Sequence, residues 1–315
     1  MLGQPLSCWH RSLMDMEMNT SAAAIAARPT LRFDIENAAE AAVNAGTRRM
    51  VLSTSGRRHG PITRLVSPSD IGESIKPFVF LDHAEVAPRP ESLIGIHPHS
   101  GIATLTVVLR GGMVYEDTTG KKGSVPTGGL EWMKAGNGVW HDGGAMPGEP
   151  LRAFQLWVAL PPSEENAPPE SQYISPDAVQ EEGPVRVILG RYGRAGSPIR
   201  APAGINYFHV RLKDGQRWRY APPDRHTVAW LAVDEGGLLS HAPISAGELA
   251  VFEESGGAIE LEADGDTSFV LGSAIKHPHP LVLGYYSVHT SHSALALGEA
   301  EINRIGRRLR AEGRL

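Results

Sequence analysis

The sequence predicts an all-β protein made of two tandem β-barrel domains and a short C-terminal helix, and three observations support this class. Glycine and proline are frequent, at 35 and 24 of the 315 residues, which is typical of a chain with many turns. Short apolar segments alternate with turn residues along most of the chain, as they do in sandwiches and barrels. These segments form two sets, separated by a proline-rich, acidic stretch at residues 161–169.

Composition places the chain among globular proteins and excludes several classes of function. Apolar residues make up 41% and charged residues 21% of the sequence, enough for a core in each domain. The formal net charge of -5 gives no electrostatic footprint for direct binding of nucleic acid. Cys8 is the single cysteine, which excludes intrachain disulfides and cysteine-based zinc sites and favours a reducing, cytoplasmic location. The sequence has no run of 18 apolar residues, so we expect no membrane span and no membrane partner.

Residues 1–46 form an N-terminal extension that lacks the strand pattern. Asp34 to Ala45 is rich in alanine and is followed by Gly46, which predicts one short helix. We expect the rest of the extension to be disordered.

The first domain is predicted at residues 47–165, and residues 166–184 are expected to link it to the second. Its strands are predicted from short apolar runs bounded by turn residues. They are Met50–Ser53, Pro61–Val66, Ile75–Leu81, Ile102–Leu109, Gly112–Glu116, Leu130–Lys134 and Ala153–Leu160.

The second domain is predicted at residues 185–315 and repeats the design of the first. Asp214-Gly215 marks a hairpin turn between two of its strands. The predicted strands are Val185–Leu189, Ile205–Leu212, Gln216–Tyr220, Thr227–Val233, Glu248–Phe252, Ala258–Glu262 and Ser268–Leu271.

A helix is predicted at Glu299–Arg310, at the end of the second domain. Ile302, Ile305 and Leu309 have the i, i+3, i+7 spacing of one apolar helix face. Acidic residues come early and arginines late, which suits the helix dipole, so we expect this helix to pack on a barrel.

Three histidines of the first domain are candidates for a metal site. Side chains at i and i+2 of an extended segment share a face, so His97 and His99 point the same way around Pro98. A strand that returns after Gly138 would carry His141 opposite this pair. Spacing alone leaves two alternatives open, a metal site of three imidazoles and ordinary packed histidines.

The chain resembles the pirin family over roughly residues 48 to 290, most closely between 76 and 173. The motifs that carry the resemblance are His97-Pro98-His99 with Gly101, Tyr115 to Gly120, Gly129 to Gly136 with His141, Phe154 to Pro161, and Pro169 with Gln172-Tyr173; Arg64 to Ser67 and Lys76 to His83 match upstream. The resemblance implies two tandem cupin domains. It also implies that the first holds a non-haem iron through three histidines and one glutamate, so that His97, His99 and His141 are the metal ligands here.

The chain departs from the family at the carboxylate. The family's ligand Glu follows the third histidine by two residues, and Gly143 stands there; a second common Glu position is Ala103. Three alternatives remain open. The site is a neutral three-His centre of the kind found in cysteine-dioxygenase-like cupins, or a bulge swings Asp142 inward, or metal binding is weak.

Two hypotheses for function follow from the resemblance. The first is a quercetinase-type dioxygenase that binds Fe(II), or another first-row divalent metal, and acts on a flavonol or another enol or phenol. The lost glutamate is the obvious base for such a substrate, so we expect weak or absent quercetinase activity. The second is a non-catalytic module, a redox-sensitive protein-binding or transcription-cofactor protein with a protein partner.

His277-Pro278-His279, near the end of the second domain, repeats the residues of the first histidine motif. We expect no hairpin after it that could return a third ligand, so a proline-stiffened surface loop is the favoured interpretation. In the second domain, Asp224-Arg225-His226 occupies the place of the first histidine pair, and one histidine cannot rebuild the site.

Overall fold

A computed structural model describes residues 46–88 and 94–315 of the chain. The helix predicted at Asp34 to Ala45 lies outside the described residues. The described chain is mostly antiparallel β-sheet, which confirms the all-β prediction. Of the described residues, no helix is both long enough and apolar enough to cross a membrane.

The first half of the chain forms two sheets. The strands are β1 Met50–Thr54, β2 Arg57–His59, β3 Ile62–Val66, β4 Phe78–Val86, β5 His97–His99, β6 Ile102–Arg110, β7 Gly112–Asp117, β8 Lys122–Pro126, β9 Leu130–Lys134, β10 Val139–Ala145, β11 Leu151–Ala159 and β12 Glu170–Ile174, with a short helix α1 at Ile71–Ile75. One sheet has the order β12-β9-β6-β11-β4-β3-β2 and the other the order β5-β10-β7-β8. They face each other, since His99 on β5 contacts Trp157 on β11, with ring centroids 4.9 Å apart.

The second half is one large, bent sheet with two small hairpins and a helix. Its strands are β13 Glu181–Glu182, β14 Val185–Leu189, β15 Arg191–Tyr192, β16 Ala195–Gly196, β17 Ile205–Leu212, β18 Arg217–Tyr220, β19 Val228–Leu239, β20 Pro243–Ser245, β21 Leu249–Phe252, β22 Ile259–Ala274, β23 Val282–Gly284 and β24 Ser287–His289; a 3₁₀ turn at Pro176–Ala178 precedes them and helix α2, His292–Ala311, follows. The two strands predicted between Ala258 and Leu271 are one continuous strand, β22. It pairs with β17 along one stretch and with β18 along another, so the turn residues between the two apolar runs do not end it.

The main core lies between the two halves. Strands of the seven-stranded sheet place Trp132 and Phe154 against Trp230 and Tyr207 of the second half, all fully buried. Phe78 meets Trp230 edge-on with ring centroids 5.3 Å apart. Because alternate residues of a strand face opposite ways, the other face of the same sheet is left to line the first barrel.

Both ends of the described chain cross to the other half. Strand β1 belongs by sequence to the first domain, but it pairs with β21 in the second sheet. Helix α2 returns to the first half, where Trp140 Nε1 donates a hydrogen bond to the carbonyl of Ile302 at 2.8 Å. This helix starts seven residues earlier than predicted, because Ser291 caps it by accepting from the amide of Ala294. The domain limits at 47–165 and 185–315 therefore stay a prediction. Strand β1 and helix α2 both make contacts with the half of the chain to which they do not belong by sequence.

Candidate metal centre

Strands β5 and β10 bring the three predicted histidines together. These strands pair so that His141 lies opposite His97, while His99 lies opposite Val139. Alternation along β5 turns both of its histidines to the same side, as their spacing predicts. The ligand atoms of the three side chains all lie within 4.8 Å of one another, and all three residues are buried. Among the described residues, these three form the single group of convergent histidine, cysteine and acidic side chains.

Two backbone carbonyls orient the imidazoles of β5. His97 Nδ1 donates to the carbonyl of Gly95 at 2.8 Å, and His99 Nδ1 donates to the carbonyl of Tyr286 at 2.9 Å. With the proton fixed on Nδ1, the lone pair of Nε2 points to the centre, which is how ligand histidines are held in metal sites. Tyr286 takes a left-handed backbone with φ of 52°, which aims its carbonyl from the β23–β24 hairpin. Sequence analysis missed this residue, because nothing local marks a contact made 187 positions away.

Burial keeps the imidazoles of His99 and His141 neutral. Loss of solvent lowers the pKa of His99 and His141 well below the usual range, and the neighbouring His97 lowers both further. Neutral imidazole nitrogen is the form that binds a metal ion.

The spacing of the nitrogens fits a first-row metal ion. His97 Nε2 and His141 Nε2 are 3.0 Å apart. Two metal–nitrogen bonds of about 2.1 Å that meet near a right angle would separate their nitrogens by about 3.0 Å. Imidazole suits iron, nickel, copper and zinc alike, so the donors fix the class of ion and not its identity.

Within residues 46–88 and 94–315, no carboxylate joins the three imidazoles. Strands β10 and β7 pair without a bulge from His141 to Ala145, so Gly143 shares the inward face of His141. Asp142 faces the other way, and its carboxylate accepts a hydrogen bond from the amide of Gly143 at 2.8 Å. Asp142 therefore does not join the three imidazoles, and the bulge that would bring it inward is not formed.

An aromatic wall stands beside the centre. Trp157 contacts His99 and stacks on Phe80, with centroids 4.0 Å apart in the second pair. The ring of Tyr286 lies 5.5 Å from that of His97. These rings form a buried apolar wall beside the three imidazoles.

A polar row lines the same barrel. Thr106 Oγ1 lies 2.7 Å from both Glu131 Oε2 and Gln155 Oε1. Loss of solvent raises the pKa of Glu131 to about 7; the hydrogen bond from Thr106 opposes the rise and the charge of Asp117 adds to it. In the sequence, Glu131 is an acid between the apolar residues Leu130 and Trp132, which is a signal of burial.

Ser100 belongs to a separate buried group. Its Oγ lies 3.0 Å from Nε2 of His289, whose Nδ1 lies 3.2 Å from Oε2 of Glu165. Gly298 of α2 covers them, since a Cβ there would lie 2.5 Å from Ser100 Oγ. The order resembles a nucleophilic triad, but the covering helix leaves no room for a substrate, so the group joins α2 to the barrel.

The other predicted histidines lie apart from the centre. A hairpin does form after His279, from β23 and β24, and it brings the carbonyl of Tyr286 to His99. Among the described residues, it brings no third histidine, cysteine or acidic side chain to His277 and His279. His277 and His279 have ring centroids 5.4 Å apart, and Lys76 Nζ donates to the His279 carbonyl. His226 lies buried in the second half, where its Nδ1 is 3.0 Å from Ser273 Oγ.

Comparisons with known proteins agree with this architecture. Residues 61–158 match the family model described as Pirin. A Pseudomonas aeruginosa protein, whose name provisionally assigns it as a quercetin 2,3-dioxygenase, is 30% identical over 240 residues, 71% of this chain and 84% of the relative. A pirin-like protein of Caulobacter vibrioides is 32% identical over 67% of this chain and 79% of its own length.

Solved structures show the same fold. A quercetin 2,3-dioxygenase from Acinetobacter baumannii has a TM-score of 0.76 at 24% identity, over 82% of this chain and 97% of its own. A bacterial pirin from Escherichia coli, solved in complex with nickel(II), has a TM-score of 0.56 at 22% identity, over 70% of this chain and 94% of its own. The described architecture is therefore that of a double cupin.

Proposed function

This chain belongs to the pirin family, and we propose that His97, His99 and His141 bind one Fe(II), or another first-row divalent ion, for a dioxygenase reaction of quercetinase type. The substrate class is a flavonol or a related enol or phenol. When bound, such an ion supplies a Lewis-acidic, redox-active centre at which dioxygen and an electron-rich enol react. The relatives named for quercetin 2,3-dioxygenase activity support the substrate class.

The chain's own residues would bind the ion, orient the imidazoles and shield the substrate from water. The imidazoles of His97 and His99 are held by the carbonyls of Gly95 and Tyr286, so they need little reorganisation to bind an ion. Trp157 and the Tyr286 ring would pack against a planar substrate and exclude water from it.

The observation that carries the proposal is the convergence of three buried imidazoles, two of which, His99 and His141, are held neutral by burial. Elemental analysis of protein purified without chelator tests it, with wild type measured beside His99→Ala. We expect near-stoichiometric metal in the wild type and background metal in the variant. Oxygen uptake with quercetin by anaerobically iron-loaded protein then tests the reaction, and His97→Ala should abolish any turnover.

The second candidate is a non-catalytic binding module, and the observation that favours it is Gly143. A site without its carboxylate binds metal less tightly and has lost the obvious base. If wild-type protein takes up no metal even after Fe(II) reconstitution, the dioxygenase proposal fails and the binding-module function is the one to pursue.

A further inference from the structure

The barrel face of the seven-stranded sheet carries two neighbouring rows of side chains. Strand register places Trp157, Thr104 and Met133 in one row. It places Gln155, Thr106 and Glu131 in the next, and we call this second set the polar row. The rows are two residues apart on each strand, so they share a face and lie about 7 Å from each other along it.

The polar row lies at the level of the lost carboxylate. Gly143 pairs with Tyr115 across β10 and β7, and the Tyr115 ring stacks on Tyr173 with centroids 3.5 Å apart. Tyr173 in turn pairs with Glu131 across β12 and β9. Gly143 and Glu131 therefore lie at the same level of the two facing sheets, and the stacked rings of Tyr115 and Tyr173 join the sheets at that level.

Hydrogen-bond counting shows that this row can hold Glu131 either with or without a proton. Thr106 has one hydroxyl hydrogen, yet its oxygen is 2.7 Å from an oxygen of Glu131 and 2.7 Å from the amide oxygen of Gln155. Both contacts are hydrogen bonds when Glu131 carries a proton and donates to Thr106, which then donates to Gln155. When Glu131 is ionised, Thr106 donates to it, and the Gln155 amide turns to donate to Thr106.

The groups around Glu131 leave its protonated and ionised forms close in free energy near neutral pH. Burial is the main cause of its raised pKa of about 7, and Asp117 raises it further. The phenols of Tyr115 and Tyr173 also have raised pKa values, through burial and then the two carboxylates, so they stay neutral. Lys121 is the facing cation, with Nζ 6.0 Å from the Tyr173 centroid, and within residues 46–88 and 94–315 no ion pair is formed by Glu131.

We propose that Glu131 accepts the enol proton of the bound substrate, in place of the carboxylate that is absent at position 143. This inference rests on the proposed dioxygenase function. The enol O–H bond breaks and its electron pair stays on the substrate oxygen. A new O–H bond forms on Glu131, which donates to Thr106, and Thr106 donates to Gln155. The substrate is then held as its enolate, the form that reacts with dioxygen.

Anaerobic absorption spectra of bound quercetin test this step, since the neutral flavonol and its anion differ in the visible region. The samples are iron-loaded wild type and Glu131→Gln, with metal content measured in each. We expect the anion in wild type above neutral pH, and the neutral flavonol in the variant at the same pH and metal content. If the variant holds the anion with an unchanged pH dependence, Glu131 is not the acceptor and the metal-site proposal still stands. If wild type binds neither metal nor quercetin, the proposed function and this inference both fail.

A second measurement needs no substrate. Infrared difference spectra between pH 6 and pH 8 should show one protonated carboxyl band in wild type that Glu131→Gln lacks. Thr106→Val removes the hydrogen bond that lowers the pKa of Glu131, so the band should titrate at higher pH in that variant. Absence of the band from wild type at pH 6 would overturn the proton-carrying role of the row.

Discussion

Replacing Gly143 by glutamate should restore a carboxylate to the centre and tighten metal binding. The backbone of Gly143 is ordinary extended strand, and a Cβ there would lie 3.3 Å from Cε of Met113, the mobile end of a flexible side chain. The new side chain would share the face of His141, because the two positions are two residues apart on a regular strand. We expect metal affinity to rise by at least about tenfold, or about 1.4 kcal/mol. The metal-free variant should be less stable than wild type by about 1 to 3 kcal/mol, because it buries a carboxylate without a partner.

Competition with a chelator of known affinity measures the first effect, and urea unfolding with and without metal measures the second. Gly143→Gln is the matched control, because it has the same size and polarity but no charge. Asp142→Glu is a second control, since that side chain faces away from the imidazoles. If Gly143→Glu folds like wild type but binds metal no more tightly than Gly143→Gln, then position 143 does not reach the ion, and the register argument is refuted.

Three further predictions concern stability. Gly298→Ala should destabilise the protein by about 1 kcal/mol or more in urea unfolding, although alanine usually stabilises a helix, because its Cβ would lie 2.5 Å from Ser100 Oγ; an unchanged or raised midpoint would contradict this packing. Trp140→Phe keeps an aromatic side chain but loses the bond to the Ile302 carbonyl and part of the indole packing, so it should cost at least about 1 kcal/mol; a loss within error would mean that the bond contributes nothing. Burial lowers the pKa of His209 from 6.5 to about 3, so the unfolded chain takes up a proton that the folded one does not, and stability should fall as pH drops from about 6.5 toward 3; His209→Gln should weaken that dependence, and an identical pH profile would contradict the assignment.

Local pattern was enough to predict most strands and the convergence of three histidines. Val185–Leu189 and Ile205–Leu212 have the predicted bounds, because short apolar runs between turn residues have few other ways to be buried. The two-residue period also predicted correctly that His97 and His99 share a face. These properties depend on neighbours in sequence, which is why the sequence carries them.

The features that the sequence did not predict depend on contacts between residues far apart in the chain. Nothing within Met50–Thr54 shows that it pairs with β21, about 200 positions later, because an apolar strand fits the edge of either sheet. Strand β22 runs through the turn residues near Gly265, since β19 pairs with it before that point, at Asp264, and again after it, from Ser268. The role of Tyr286 belongs to its backbone carbonyl, which every residue type has, so no side-chain pattern could reveal it.

The return of the chain end to the first barrel makes the candidate metal site depend on both halves. His99 lies in β5, yet the carbonyl that fixes its tautomer belongs to the hairpin between β23 and β24. That hairpin is held by the backbone bridge between Ser100 and Ser287 and by helix α2, which packs Gly298 against Ser100. A first domain alone would keep three histidines but lose the partner that orients one of them and the Tyr286 ring beside another. The second half, in which no comparable cluster lies among the described residues, therefore helps to position the three histidines of the first.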